Sequence, residues 1–387
     1  MGVLTLRRLS ALALGAVLGG PGLVTTSRAT PVTYDIRAQT FSGLGGAAAG
    51  DSLSSGDLMR LLTGGKPRST RSLQLTLLAS GEPPPSPQAE HRIPPGLGLG
   101  LSLPLVTQPL VERVPTFADP GDAPLPSGRL LMFQGCMEDR GSPASDVLEI
   151  AQLLPDQRAI ARALARSERV QMPEDPERSG VRVEGRWPDR SPSPPVAAEA
   201  SLVGTHRVIS NYAPEIVFDV EQTHDFLEPV ALQTTRVEGS WRLNWQTIPT
   251  VSGYQALVAG PGLREGDVVI WSSSELAQGE SSMLGAFSGT TATGPGLMGP
   301  ERTSCMIPAV AMQQIQAGVL HFAAVGDPLQ LRAPGPDPAW QLTLHRQATV
   351  IQPLAEGLWS GPSQEAPYKD PSRPKPSTPF NLFRGLF

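Results

Sequence analysis

The sequence predicts a mainly β protein with two β-sandwich-like domains, long Gly/Pro-rich loops and one or two short helices. Glycine and proline, 40 and 41 of 387 residues, form about a fifth of the chain, compared with about 12% in average proteins. Short runs in which apolar and polar residues alternate, the period of a half-buried strand, recur along the chain. Turn residues bound most of these runs, which favours many short strands over a helical bundle.

The clearest strand pattern lies in residues 241–274. Trp241, Leu243 and Trp245 alternate with polar residues, and after a turn a second alternating run begins at Tyr254. A third apolar run precedes three serines. We expect three successive strands of a sandwich meander, with the two tryptophans and the tyrosine in its core.

In the first domain, residues 30–226, the same alternation predicts strands joined by Pro-rich connectors. The predicted strands are residues 32–41, 72–79, 129–136, 181–187, 206–209 and 215–220. Residues 96–106 alternate glycine with leucine; we expect them to be extended and covered, because so apolar a run is rarely left bare. Residues 156–165 have the pattern of a helix with Pro155 before it, and residues 57–62 allow a shorter one.

The second domain, residues 227–352, is expected to contain one short helix at residues 309–316 and a set of strands. The predicted strands are residues 230–234, 241–246, 254–259, 268–273, 303–307, 318–325 and 340–350. The order of these elements favours a sandwich for this half of the chain.

A spaced motif in the second domain points to a known fold. The motif W-x-x-x-P-x-x-x-G-Y is formed by Trp245, Pro249, Gly253 and Tyr254. It resembles a fibronectin type III-like sandwich, with a core tryptophan on the second strand and a tyrosine on the third. The resemblance implies the fold and is silent on function. The sequence departs from the pattern in a Gly/Ser-rich insertion, residues 276–302, and binding residues often lie on such loops.

Segments spread over the whole chain resemble a family of exported proteobacterial proteins with no assigned activity. These segments are RSLQLTLLAS, GLGLGLSLPLVT, GRLLMFQGC, EGRWPDR, HRVISNYAPEI, VIWSSSE and TSCMIPA. The resemblance implies export and a shared architecture, and it implies no catalytic residue.

The N-terminus has the layout of a secretory signal peptide, residues 1–29. Arg7 and Arg8 precede an apolar run, and a small-x-small site ends at Ala29. We expect cleavage near Ala29 and an exported protein that is periplasmic, cell-surface or secreted; the alternative is an N-terminal membrane anchor. No later apolar run reaches about 18 residues, so we expect no transmembrane span in the mature chain. The Pro-rich tail, residues 353–387, is expected to be disordered.

Cys136 and Cys305 are the two cysteines of the chain. In an exported protein they permit one disulfide, which would close a loop of about 170 residues and contribute roughly 4–5 kcal/mol on the chain-entropy model. The alternative is two separate buried thiols. The sequence leaves both open, because a bridge requires Cα atoms within about 7 Å of each other.

Charge and histidine spacing exclude two classes of ligand. The formal net charge is −5 and the pI about 5.6, so no basic field attracts nucleic acid. The histidines are His91, His206, His224, His321 and His345, and none has metal-ligand spacing. His224 lies near Glu221 and Asp225, but a metal site needs three or four convergent ligands, so surface charge is the preferred interpretation. We therefore expect no metal and no cofactor.

Four residues are candidate nucleophiles. They are Ser272, Ser273, Ser274 and Cys136. The serines lack the G-x-S-x-G context of a nucleophile elbow, and serines at a strand end usually hydrogen-bond the backbone. His206 or His321 is the potential base, and a reactive cysteine needs exposure and a lowered pKa. We assign no catalytic residue.

Two tryptophans stand out as candidate binding residues. Trp187 has charged neighbours, and Trp271 ends a strand before the serine run. The candidate binding residues are Trp187, Trp271, Ser272, Ser273 and Ser274. The sequence thus favours an exported envelope protein that acts without catalysis, as a binding or structural module for an envelope protein or polysaccharide. The alternative is an envelope hydrolase that uses a serine or cysteine nucleophile with a histidine.

Overall fold

The computed structural model describes most of the predicted strands. The described residues are 32–43, 69–80, 84–110, 128–137, 144–149, 182–189, 194, 196–274 and 296–354. The predicted signal peptide, the helices at residues 57–62 and 156–165, most of the insertion and nearly all of the tail lie outside these residues.

The described residues are mainly β, with very little helix, as the sequence predicts. The strands are β1 Val32–Gly43, β2 Thr70–Ser80, β3 Ala89–Arg92, β4 Ser102–Leu110, β5 Arg129–Gln134, β6 Ala144–Glu149, β7 Arg182–Trp187, β8 Gly204–Ser210, β9 Ile216–Val220, β10 Gln233–Val237, β11 Ser240–Asn244, β12 Val251–Pro261, β13 Val268–Ser272, β14 Ser304–Ile307, β15 Gly318–Gly326, β16 Leu329–Arg332 and β17 Trp340–Leu354. The helical elements are α1, Ala309–Met312, and single 3-10 turns at Pro95–Leu97 and Gln222–His224.

Most strands belong to one mixed sheet of 14 strands. Its order is β6-β5-β13-β12-β15-β17-β1-β2-β7-β4-β3-β8-β9, and β16 pairs with β17 off this path. The β1–β17 and β5–β13 pairs are parallel, and the other pairs are antiparallel. Strands β10, β11 and β14 form a separate three-stranded sheet.

Alternation identified the strands with a clear inner face and missed those without one. In β1 every second side chain is buried, from Val32 to Thr40. Strand β3 was not predicted, because its four residues AEHR carry no apolar alternation. Strands β6 and β16 were also missed, and β10 begins three residues later than expected.

The strongest sequence signal is divided between the two sheets. Strand β11 pairs with β10 and β14 in the small sheet, whereas β12 and β13 form a hairpin in the large one. The predicted pairing of these three strands as one meander is therefore wrong at its first step. The predicted burial is confirmed: Trp245 and Tyr254 lie in the core, and Trp241 packs against it.

Two large hydrophobic cores lie along the described part of the large sheet, and Leu257 and Ile270 form a small third cluster. The second core, named for its place in the chain, lies between the small sheet and strands β12, β13 and β15, and includes Leu243, Trp271 and Phe322. The first core is formed mainly by β1, β2, β4, β8 and β9, and includes Leu75 and Phe218. The long strand β17 contributes to both cores, with leucines 342 and 344 in the first and Ala348 and Val350 in the second.

Arg346 occupies the position on β17 between these two sets of apolar side chains, and it is only 1% exposed. Its guanidinium donates to the carbonyl oxygens of Thr223, Asp225, Thr250 and Asp327 at 2.9–3.4 Å, and to the Thr250 hydroxyl at 3.1 Å. Burial lowers the pKa of Arg346, while Asp327 and Asp225 oppose that shift. One side chain thus fixes three loops at the junction of the two cores.

The structure contains the disulfide that the sequence left open. Cys136, after β5, is bonded to Cys305 on β14, with the Cα atoms 5.3 Å apart. The bond ties the small sheet to the far end of the large one across 169 residues of chain. Both cysteines belong to the second core.

Candidate functional site

The structure buries Trp271 and the serines that follow it. Trp271 lies in the second core, where its indole nitrogen donates to the Gly135 carbonyl at 3.1 Å. Ser272, Ser273 and Ser274 are buried as well. A partner cannot contact these side chains while the core is closed. Binding through them, as predicted, would require the elements that cover them to move.

Hydrogen bonds account for the serine hydroxyls. The Ala256 amide donates to the Ser273 hydroxyl at 2.8 Å, and the Ser274 amide donates to the Ser272 hydroxyl at 3.1 Å. The side chain of Gln255 donates to the Ser274 hydroxyl at 3.4 Å. These contacts continue the β12–β13 hairpin past the end of its ladder, which is the structural role that serines often have at strand ends.

The predicted bases do not meet the predicted nucleophiles. His321 and Ser272 pair with opposite sides of Leu257, so β12 separates them, and strands two apart lie roughly 9–10 Å from each other. Among the described residues, no hydrogen bond joins a histidine to Ser272, Ser273 or Ser274. Cys136 is bonded to Cys305 and has no thiol.

Trp187 lies at the end of β7, beside the first core. It pairs with Leu75 on β2 and is partly buried against the core. Its neighbour Arg186 points to the opposite, solvent-facing side and forms an ion pair with Glu184. Trp187 is therefore the one candidate binding tryptophan that keeps solvent contact.

The Gly/Leu segment, residues 96–106, carries an exposed apolar side chain near its middle. Leu97, Leu103 and Leu105 are buried in the first core, as the sequence predicts for an apolar run. Leu101, however, is 84% exposed, and the Leu101 carbonyl accepts a hydrogen bond from the Ile93 amide at the neck of the loop. A fixed loop thus holds a leucine in solvent.

A chain of buried polar side chains crosses the first core, and sequence reasoning did not identify it. The Tyr34 hydroxyl lies 2.8 Å from Nδ1 of His91, and Nε2 of His91 lies 3.0 Å from Nδ1 of His206. Nε2 of His206 lies 2.7 Å from the Leu202 carbonyl oxygen. All three side chains are at most 1% exposed, so this chain is closed to solvent.

Burial keeps the side chains of Tyr34, His91 and His206 neutral. Burial, together with the nearby His206, lowers the pKa of His91 to about 3. Burial also lowers the pKa of His206, against the hydrogen bond to Leu202 and the charge of Asp219, which raise it. Burial raises the pKa of Tyr34 well above its usual value, and Tyr212 adds to that shift. The sequence signal was weak, because His91 lies on the unpredicted strand β3.

A buried ion pair fixes the start of β5. Asp267, in the β12–β13 turn, accepts from the Arg129 backbone amide at 2.9 Å and from Nη2 of the Arg129 side chain at 2.6 Å. The side-chain hydrogen bond from Arg129 lowers the pKa of Asp267, and burial opposes that shift. This contact anchors β5 to the β12–β13 hairpin and is structural in kind.

The described residues contain neither a metal-binding cluster nor a helix that could span a membrane. No group of three or more His, Cys, Asp or Glu side chains converges there. In the acidic stretch near His224, the Asp225 carboxylate accepts from the Ser201 hydroxyl and the Leu202 amide. None of the helices in the described ranges is both long and apolar enough to cross a bilayer.

The sequence matches no model of a protein family and no curated protein.

Proposed function

We propose that the protein is an exported module of the cell envelope that binds another macromolecule or supports envelope structure without catalysing a reaction. The state of the candidate nucleophiles carries this proposal. Cys136 is held in a disulfide, and the hydroxyls of Ser272, Ser273 and Ser274 are buried and hydrogen-bonded. A nucleophile needs an activating base and access to substrate; within the described residues no base is hydrogen-bonded to these positions, and their burial closes them to substrate.

Two features support export. Disulfides form and persist in oxidising compartments, and the Cys136–Cys305 bond is of the long-range structural kind found there. Residues 1–29 have the layout of a signal peptide. The protein is therefore proposed to act in the periplasm or at the cell surface.

The two cores support a division into two sandwich-like domains that share β17. In the second, residues 227–352, the small sheet packs on the large one around Trp245 and Tyr254, which suits a fibronectin type III-like arrangement. Sandwiches of this kind commonly present binding residues on their loops. We place the partner-binding surface on loops for that reason.

Two positions that keep solvent contact, one exposed and one partly buried, are proposed to contact the partner. Leu101 presents an apolar side chain suited to a pocket on an envelope protein. Trp187 is only partly buried and suits stacking on a sugar. The two positions therefore distinguish a protein partner from a polysaccharide.

Binding should depend on one of these residues. The purified mature protein is immobilised and exposed separately to solubilised envelope proteins and to cell-wall polysaccharide. Leu101→Ser is expected to weaken retention of a protein partner at least about tenfold, whereas Trp187→Ala should do so for a polysaccharide, because central anchor residues typically contribute more than about 1–2 kcal/mol.

Two matched variants control for changes in stability. Leu263 is also an exposed loop leucine, and Trp340 is also a partly buried tryptophan at the first core. Leu263→Ser and Trp340→Ala should leave retention unchanged. Release of hydrolysis products from either envelope fraction, or retention no greater than that of an unrelated protein, would overturn the proposal.

A further inference from the structure

The Tyr34–His91–His206 chain connects strands that are distant in the sheet. Strands β2, β7 and β4 separate β1 from β3. Along the sheet four strand spacings amount to roughly 19 Å. The hydrogen bond between Tyr34 and His91 is nevertheless 2.8 Å long. It therefore crosses the first core, where the sheet folds back on itself, and links β1 to the β3–β8–β9 side.

The hydrogens of the neutral chain have one consistent placement. The Leu202 carbonyl can only accept, so Nε2 of His206 carries a hydrogen and Nδ1 of His206 accepts. Nε2 of His91 then donates to His206, which leaves Nδ1 of His91 to accept from the Tyr34 hydroxyl. Every ring nitrogen has a partner, so the neutral chain satisfies all of its polar atoms.

Added protons are incompatible with this placement. A first proton converts His206 Nδ1 or His91 Nδ1 into a donor, and the Tyr34 hydroxyl must then find another acceptor. A second proton places an N–H of His91 against an N–H of His206, where the two nitrogens are 3.0 Å apart. Two donors and two like charges at that distance repel, so the contact must break.

We propose that the Tyr34–His91–His206 chain is an acid-sensitive latch: it holds β1 against β3 and β8 while both histidines are neutral, and it opens when they take up protons. This device is independent of the proposed binding function. Release would loosen the β3–β8–β9 side of the first core and leave the second core, with its disulfide, closed.

The surroundings of the chain offer little compensation for positive charge. Phe218 on β9 stacks on the His206 ring with 4.9 Å between centroids. The charge of Asp219 raises the pKa of His206. The charge of Glu184 raises the pKa of Tyr212, and Tyr212 raises the pKa of Tyr34. The Asp225 carboxylate is bonded to Ser201 and Leu202, and Arg207 pairs with Glu215.

The sign of the pH effect follows from these pKa directions. Both histidines have pKa values below the ordinary value of about 6.5, so the open or unfolded state takes up protons first as pH falls. The latch is complete above pH about 6.5 and weakens progressively toward pH about 3, the pKa of His91. Protection of His91 raises the unfolding equilibrium constant about tenfold for each pH unit of acidification in that window, and protection of His206 adds to this effect in the same direction.

Glutamine variants test the latch. His91→Gln keeps a donor toward His206 but cannot be protonated. Between pH 6 and 4, each pH unit of acidification should therefore raise the unfolding constant of the variant by a factor about ten times smaller than in the wild type. His224, which is half-buried and lies outside the Tyr34–His91–His206 chain, supplies the control, and the latch predicts the wild-type slope for His224→Gln. Burial also lowers the pKa values of His321 and His345, which adds to the pH dependence of every variant. The test is therefore the difference in pH slope between His91→Gln and His224→Gln.

Two measurements on the wild-type protein remain decisive if a variant fails to fold. In protein labelled with ¹⁵N at histidine, both rings should be Nε2–H tautomers at pH 7 and should resist protonation below pH 6. Amide exchange at about pH 5 should rise in β3 and β8 before it rises in β12 and β15. Titration of His91 near pH 6.5, simultaneous loss of protection in all four strands, or an unchanged slope in His91→Gln would overturn the latch.

Discussion

Replacing Cys136 and Cys305 together by alanine is expected to lower the free energy of unfolding by about 5 kcal/mol. The disulfide spans 169 residues, and a cross-link stabilises mainly by restricting the unfolded chain, more so for longer loops. It also holds the small sheet against the large one, so the double variant should lose order first around the second core. In a chain of this size the midpoint of thermal unfolding should fall by about 10 °C.

Reduced wild-type protein provides the matching control. After unfolding and refolding in reductant, it should melt with the double variant, because both lack the same bond. The non-reduced native protein should show no free thiol and a mass two hydrogens below that of the reduced form. Two titratable thiols in the native protein, or an unchanged melting temperature for the variant, would contradict the stabilising role.

Arg346→Met is expected to destabilise the protein by roughly 1–3 kcal/mol, the cost of leaving hydrogen-bond acceptors without their donor. Methionine fills similar volume but donates no hydrogen bond. The carbonyl oxygens of Thr223, Asp225, Thr250 and Asp327 would lose the donor that the buried guanidinium provides. Chemical denaturation at neutral pH measures the loss.

Two further variants separate the guanidinium geometry from its charge. Arg346→Lys keeps the charge but not the planar fork, so it should fall between wild type and Arg346→Met. Arg332, exposed on β16, is the surface control, and Arg332→Met should change stability by less than about 0.5 kcal/mol. Equal stability of Arg346→Met and wild type would show that the three loops need no shared donor.

Local pattern predicted the strands because each has one buried face. For that reason the alternation correctly predicted a strand at Trp241, Leu243 and Trp245, and it correctly predicted that Tyr254 is buried. The same pattern says nothing about which strand is the neighbour, since pairing depends on backbone hydrogen bonds that carry no side-chain signature. Local alternation therefore could not show that residues 241–274 divide between two sheets.

Features formed by residues that are far apart in the sequence could not be predicted from local patterns either. Nothing in residues 32–43 indicates that β1 pairs in parallel with β17, about 300 residues later in the chain. His91 and His206 are isolated in sequence and meet only because β3 and β8 are neighbours. Trp271 was expected near the surface because serines follow it, yet those serines are buried too, with their hydroxyls hydrogen-bonded.

Site-specific photo-crosslinking in intact cells tests the proposed function most directly. A benzophenone amino acid is placed at Leu101 and, as control, at Leu263, two exposed leucines on separate loops. We predict a light-dependent adduct with an envelope protein from position 101 and none from position 263, in the exported fraction. Equal labelling at both positions, or a chain that stays inside the cell without any adduct, would contradict a binding role in the envelope.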